Sequence, residues 1–134
     1  MLELIFVFSI FLAVIGVFSF VVIRGRRKGA EESGRVPAFQ EQAGGRFDGF
    51  NLTIPFVRHA VYEDFVVIAY GNRRHVLKFS DIKCVSNKWH LFSKGLIYQH
   101  SRADVPSQCI VWSFRGGKIL EYLESKGVPI CENA

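Results

Sequence analysis

The sequence predicts a mainly β protein with one transmembrane helix at its N-terminus and one short α-helix near its C-terminus. Three observations support this class: an uncharged apolar run opens the chain, short stretches of branched and aromatic residues follow it, and an amphipathic stretch comes last. No strand–helix–strand alternation occurs among these stretches, so we expect the strands to pair antiparallel.

The apolar run covers residues 4–23, and 16 of its 20 positions are Leu, Ile, Val or Phe. A helix of about 20 residues spans roughly 30 Å, the thickness of a bilayer's hydrocarbon core. A domain of about 90 residues is too small to surround a helix that is apolar on every side. We therefore predict a transmembrane helix at residues 1–23. A cleaved signal peptide is the alternative, and it is disfavoured because no basic residue precedes the run and no Ala-x-Ala site follows it.

Four basic residues follow the run: Arg24, Arg26, Arg27 and Lys28. Basic residues that flank a span stay on the cytoplasmic side. The sequence therefore predicts a single-pass protein of the cell membrane (the bacterial inner membrane), with its N-terminus outside and its C-terminal domain in the cytoplasm. Without these four residues and Glu3 the net charge falls from +5 to about +2, so the composition is poor evidence for nucleic-acid binding.

Residues 24–45 are predicted to form a basic juxtamembrane segment and a flexible linker, because residues 29–45 are polar and show no apolar period. The folded domain is expected at residues 46–130, followed by a tail at 131–134. Within the domain, branched and aromatic stretches bounded by turn residues predict strands at 50–57, 59–62, 64–70, 75–79, 81–89, 96–100 and 109–114.

Two of these stretches carry further information. Pro55 is expected to interrupt the first strand, because proline cannot donate a hydrogen bond to a neighbouring strand. The uninterrupted apolar run at 64–70 predicts a strand that is covered on both faces.

The last stretch, residues 118–127, predicts an amphipathic helix. Ile119, Leu120 and Leu123 share one face, and Gly127 stands where a helix takes a left-handed terminus. A helix of about ten residues is marginal alone in water, so its apolar face is expected to dock on the sheet.

This order of elements, together with three short phrases, resembles the bacterial pleckstrin-homology-like (PH-like) domains. The resemblance covers about residues 46–130 and implies a seven-stranded split β-barrel capped by the C-terminal helix, where the strand pattern alone predicts six or seven antiparallel strands. It also implies a binding or scaffolding role without catalysis. The basic pattern that phosphoinositide-binding members carry in their first hairpin is not found in this sequence. The three phrases are Phe79-Ser80-Asp81-Ile82, Lys94-Gly95-Leu96-Ile97-Tyr98 and Ile110-Val111-Trp112-Ser113.

Residues with catalytic or metal-binding chemistry are few and scattered. Cys84, Cys109 and Cys131 show no paired spacing, which predicts free thiols in a reducing compartment. Cys84 and Cys109 lie in apolar strand patterns, which is typical of small core residues. The four histidines have no metal-ligand spacing. The sequence therefore predicts a non-enzyme without catalytic residues, metal or cofactor.

Five basic residues at or near predicted loops are candidate binding residues: Arg58, Arg73, Arg74, Lys94 and Arg102. If one end of a barrel gathers them, they form a positive rim that attracts anionic lipid headgroups or an acidic partner. The alternative is that they are ordinary solvated turn residues.

Within the span, Ser9, Ala13 and Gly16 lie at i, i+4 and i+7, and such small residues let another helix pack closely. Together these features predict a non-catalytic interaction or assembly module whose partners are the lipid bilayer and another membrane protein or a second copy, with no nucleic acid and no metal. A module that binds anionic lipid headgroups at the inner leaflet is the alternative, and an enzyme is the third hypothesis.

Overall fold

The computed structural model describes residues 1–90 and 93–131, and in these residues the chain forms two α-helices and seven β-strands. Two short 3-10 turns, Ala30–Glu32 and Phe79–Asp81, precede the first and fifth strands. The elements are α1 Leu2–Gly25, β1 Phe39–Phe47, β2 Phe50–Val61, β3 Phe65–Tyr70, β4 Arg73–Lys78, β5 Ile82–His90, β6 Ser93–His100, β7 Cys109–Trp112 and α2 Gly116–Ser125.

The strands form one antiparallel sheet in the order β4-β3-β2-β1-β7-β6-β5. β1 lies at its centre and pairs with β2 on one side and with β7 on the other. The sheet curls into a half-barrel, and α2 follows the last strand. The predicted fold class is confirmed: mainly β, with antiparallel strands, an N-terminal apolar helix and a C-terminal helix.

The inner face of the curled sheet holds the main core, and α2 closes it. Ile119 and Leu123 of α2 are fully buried against apolar side chains from the strands. Gly127 ends the helix with φ +84°, a left-handed conformation that glycine adopts without strain. The predicted docking of this helix through its apolar face is therefore confirmed.

β3 is buried on both faces, as its uninterrupted apolar sequence predicts. All six of its residues are buried. Val66, Ile68 and Tyr70 belong to the inner core, whereas Phe65, Val67 and Ala69 belong to a second apolar cluster on the outer face. The outer cluster needs a cover of its own, and the segment that precedes β1 supplies it.

The segment before β1 is folded, which corrects the predicted flexible linker at 24–45. β1 begins at Phe39, and the Ala38 N–H donates a hydrogen bond of 2.8 Å to the Val61 carbonyl. Ahead of it, Arg35 forms an ion pair of 2.7 Å with Asp64. The composition misleads because Phe39–Phe47 contains few strand-forming residues, and this strand is stabilised instead by pairing on both sides.

β2 runs through Pro55 as one element, but its regular pairing with β1 is interrupted around this residue, as predicted. The pairing of β1 with β2 shifts in register between Ala43 opposite Val57 and Gly45 opposite Leu52. Pro55 falls within this irregular section, where a missing backbone donor breaks no regular pairing.

Cys84 and Cys131 form a disulfide, so the prediction of three free thiols is wrong for this pair. The chain after α2 returns alongside β5, where the Val85 N–H donates to the Pro129 carbonyl and the Cys131 N–H donates to the Val85 carbonyl, each at 2.9 Å. This pairing brings the two Cα atoms to 5.0 Å, within disulfide range. The cysteines are 47 residues apart, so their spacing carries no signal. Of the predicted tail, residues 132–134 lie outside the described residues.

α1 is long and apolar enough to cross a membrane over Leu2–Arg24, a property that N-terminal signal sequences share. Every residue from Leu2 to Phe20 is exposed. The helix touches the domain along β2, where the Phe18 and Phe56 rings meet edge to face with their centroids 5.2 Å apart.

Candidate functional site: a basic cleft beside α1

A buried ion pair fixes the chain that leaves α1 onto the outer face of the sheet. Glu32 and Arg58 are both fully buried, and the Arg58 guanidinium contacts both carboxylate oxygens, with Nη1 at 3.1 Å from Oε2. The same carboxylate accepts hydrogen bonds from the Tyr62 hydroxyl at 2.7 Å, the Arg74 guanidinium at 2.9 Å and the Gly29 N–H at 2.9 Å. We call this group of five residues the latch.

The latch keeps Glu32 ionised. Burial raises the pKa of this carboxyl, but the hydrogen bonds from Arg58, Gly29, Tyr62 and Arg74 outweigh burial and lower the pKa to about 2. The pKa of the Tyr62 hydroxyl is raised, because the group is buried and because it donates to this carboxylate. A charged Glu32 therefore balances the buried charge of Arg58.

The β3–β4 hairpin brings two arginines to the end of α1. Gly71 adopts φ +55° in the turn between Tyr70 and Arg73, a conformation that glycine favours. Arg74 is the latch member on this hairpin, and besides Glu32 it forms an ion pair of 2.8 Å with Glu31. Gly29 lies against the Arg74 guanidinium so closely that a side chain there would displace it.

Basic side chains from the helix end and from this hairpin line one cleft of about 220 Å³. We call it the basic cleft, and its charged members are Arg24, Arg27, Lys28, Arg73 and Arg74. Arg74 is paired with Glu31 and Glu32. The other four have no carboxylate within ion-pair distance in the described part of the chain. The cleft therefore carries an excess of positive charge that suits an anionic group.

The basic cleft brings together residues from two sets that the sequence analysis predicted separately, the membrane flank and the positive rim. Arg24, Arg27 and Lys28 belong to the predicted membrane flank, whereas Arg73 and Arg74 belong to the predicted rim. The remaining member of the flank, Arg26, lies apart from the cleft, beside Gln40, Glu41 and Gln42 of β1.

The other three candidate binding residues lie outside the cleft. Arg58 is 1% exposed in the middle of β2, so its expected place at a loop is wrong. Arg102 is engaged by Asp104 at 2.6 Å and by Asp81 at 3.5 Å. Lys94 is exposed on β6 opposite Trp89, in the β5–β6 hairpin. The five candidates therefore do not form a single rim.

A larger cavity of about 530 Å³ lies between the β1–β2 and β3–β4 turns and shares Arg73 with the cleft. Its walls include three aromatic side chains, Phe47, Phe50 and Tyr70, and one carboxylate, Asp48. Among the described residues that line it, Arg73 is the one cation, so the cavity lacks the positive excess of the basic cleft.

The remaining titratable side chains of interest lie inside the half-barrel. His59 is fully buried, and its two ring nitrogens share hydrogen bonds with Glu41 at 2.9 Å and with the Tyr98 hydroxyl at 2.8 Å. Burial raises the pKa of the Cys109 thiol to about 12, so this cysteine stays protonated and unreactive at neutral pH. Within residues 1–90 and 93–131, no group of three or more His, Cys, Asp and Glu side chains is arranged to hold a metal ion.

Glu31 and Glu32 are the site residues that sequence reasoning missed. They stand in a polar run that resembles a linker, and the partners Arg58, Tyr62 and Arg74 lie 26 to 42 residues further along the chain. One sequence feature could have pointed to them: two consecutive acidic residues stand shortly after four basic ones. No protein-family model matches this chain, and no curated protein matches it significantly in sequence.

Proposed function

We propose that this protein is a single-pass membrane protein whose PH-like domain is a non-catalytic interaction module at the bilayer surface. α1 supplies the span, and the order of seven antiparallel strands followed by one helix supports the PH-like resemblance. Its partner is an acidic group presented in the plane of the membrane. The observation that carries this proposal is the basic cleft, with four cations that lack carboxylate partners in the described chain.

The latch supports a function at the bilayer surface. Only residues 26–28 lie between the end of α1 at Gly25 and the first latch residue, Gly29. The domain is therefore held within a few residues of the span, where a flexible linker of about 17 residues would allow an average reach of roughly 20–25 Å. Confinement of this kind makes weak contacts effective, because the partner is met at high local concentration.

The non-catalytic part of the proposal is supported by the state of the reactive side chains. The Cys109 thiol is buried with a raised pKa, and the His59–Tyr98 pair is sealed within the core. Neither group reaches the basic cleft or the larger cavity beside it.

We further propose that the domain faces the cytoplasm, as the basic flank predicts. Moving one positive charge across a membrane potential of about 100 mV costs about 2.3 kcal/mol, and four such charges lie in the last turn of α1 or directly after it. The predicted free thiols had been an argument for a reducing compartment. Disulfides are rare in such compartments, so the disulfide between Cys84 and Cys131 withdraws that argument. Assembly with another membrane protein or a second copy through Ser9, Ala13 and Gly16 stays a prediction.

Site-specific photo-crosslinking of the full-length protein in its membrane tests the function. Asn72 lines the basic cleft without contributing charge, so a photo-crosslinking amino acid there leaves the cations in place. Glu124, exposed on α2, is the matched control position. We expect adducts from position 72 that disappear when Arg24, Arg27 and Arg73 are changed to Gln. An equal yield from position 124, or no adduct from position 72, would overturn the proposal.

A further inference from the structure

An apolar groove runs along α1 on the side that faces the domain. It has a volume of about 470 Å³ and is lined by α1 residues between Ile10 and Val21 and by Phe56 of β2. Every lining side chain is apolar, and the contact between Phe18 and Phe56 forms one wall.

The groove and the basic cleft follow the same face of α1. Ile10, Val14, Val17 and Val21 lie at i, i+4, i+7 and i+11, which places them on one side of the helix. Arg24 comes three residues after Val21 and continues this face into the basic cleft. The face therefore changes from apolar to cationic within a single helical turn.

The dimensions of the groove match one leaflet. The helix rises roughly 17 Å from Ile10 to Val21, a little over half of the roughly 30 Å hydrocarbon core. The cations then lie just beyond the apolar end, at the level where phosphates of that leaflet are found.

We propose that the groove and the basic cleft together bind one anionic phospholipid, with its phosphate among Arg24, Arg27, Lys28 and Arg73 and an acyl chain along α1. This inference rests on the proposed function, because it requires α1 to span the bilayer. A free phosphate ion fills the cleft and leaves the groove empty. A partner helix fills the groove and leaves the cations unpaired. A phospholipid with a net negative headgroup satisfies both.

Native mass spectrometry of the delipidated, full-length wild-type protein in detergent tests whether it binds one anionic phospholipid. The probes are long-chain phosphatidylglycerol, phosphatidylcholine with the same chains, short-chain phosphatidylglycerol and inorganic phosphate. We expect long-chain phosphatidylglycerol to bind at least tenfold more tightly than each of the other three. Equal binding of the two long-chain lipids would overturn the anionic part of the proposal, and equal binding of the two phosphatidylglycerols would overturn the acyl-chain part.

Variants locate the site. Arg27→Gln combined with Arg73→Gln is expected to weaken long-chain phosphatidylglycerol about 20-fold, since each basic residue near an anionic group contributes roughly fivefold. Lys118→Gln combined with Lys126→Gln removes the same charge from exposed positions outside the cleft and is the control. Val14→Trp fills the groove and is expected to remove the advantage of long chains, whereas Ile15→Trp, on another face of α1, keeps it. Equal loss in both members of either pair would overturn the proposal.

The crosslinking at position 72 separates this inference from the proposed function. Protein adducts at position 72, together with no preference for phosphatidylglycerol, would leave an interaction module and overturn the lipid. Absence of adducts of every kind would overturn the function itself.

Discussion

Glu32 shows how much of this site depends on a single side chain. Its carboxylate joins the segment after α1 to Arg58 and Tyr62 of the outer sheet face and to Arg74 of the β3–β4 hairpin. Nothing in its immediate sequence distinguishes it from Glu31, which is about half exposed. The difference arises from tertiary packing, because only Glu32 points at the buried arginine.

Glu32→Gln is expected to lower the free energy of unfolding by about 3–5 kcal/mol, because it leaves the buried Arg58 without a counter-charge. Chemical denaturation of the detergent-solubilised protein measures the change. Glu31→Gln is the matched control, and it is expected to cost less than about 1 kcal/mol because it removes only a partly exposed pair with Arg74. Equal losses in the two variants would contradict the role of the latch.

The latch is also expected to fail in acid. The pKa of Glu32 is about 2 in the folded protein and 4.5 as its ordinary value, so its contribution to stability is complete above the ordinary value and lost as the pH falls towards 2. The difference in unfolding free energy between wild type and Glu32→Gln should therefore narrow between about pH 5 and pH 2. A difference that stays constant over this range would show that the carboxylate charge is not what stabilises the wild type.

β1 illustrates at the level of an element why sequence reasoning missed one strand. Local pattern was sufficient for β3 and α2, where an apolar run and an amphipathic repeat describe the burial correctly. β1 instead carries Gly44 and Gly45 where neighbouring strands approach closely: a Cβ on either glycine would lie 2.7 Å from a backbone carbonyl, of Leu52 or Ile110 respectively. These glycines read as linker residues, yet they permit the curl of the sheet.

Gly44→Ala is expected to destabilise the domain by about 1–3 kcal/mol, because the new methyl group overlaps the Leu52 carbonyl and the Trp112 ring. Thermal unfolding followed by circular dichroism measures the effect. Gly117→Ala serves for comparison: a Cβ there meets nothing within 4 Å, and alanine in α2 favours the helix by up to about 1 kcal/mol. If Gly44→Ala were as stable as Gly117→Ala, the proposed crowding at the centre of the sheet would be wrong.

The basic cleft could be predicted only in part for a related reason. The sequence identified every one of its cations, since charge and position near a span or a turn are local properties. It did not predict that Arg24 and Arg73 would line the same cleft, because their proximity depends on the latch fixing the intervening chain. The burial of Arg58 could not be predicted for the same reason, because its partner Glu32 lies 26 residues away in the sequence.

On the scale of the whole molecule, the disulfide ties the C-terminal segment to β5. Closing a loop of 47 residues stabilises the folded state by up to about 4 kcal/mol through the entropy of the unfolded chain. We expect Cys84→Ser combined with Cys131→Ser to lower the unfolding free energy by about 2–4 kcal/mol, and dithiothreitol to do the same to the wild type. If dithiothreitol destabilised the double variant as much as the wild type, its effect would not arise from the disulfide between Cys84 and Cys131.

The proposed cytoplasmic orientation and the disulfide together make a prediction about living cells. Glutathione and thioredoxin keep cytoplasmic thiols reduced, so Cys84 and Cys131 should be open in growing cells and should close on oxidation. Alkylation of intact cells followed by mass spectrometry measures their state, and a reporter fused after Ala134 should be active only on the cytoplasmic side. If the disulfide between Cys84 and Cys131 were formed in growing cells and the reporter were active outside, the predicted orientation would be wrong.

The short connection between α1 and the latch has a mechanical consequence. Residues 26–28 leave too little slack for the helix to spin independently, while the rings of Phe18 and Phe56 add a second point of attachment. If α1 spans a bilayer as proposed, a rotation or tilt of the helix would reorient the half-barrel with it. The lipid around α1 would then determine the direction in which the domain points.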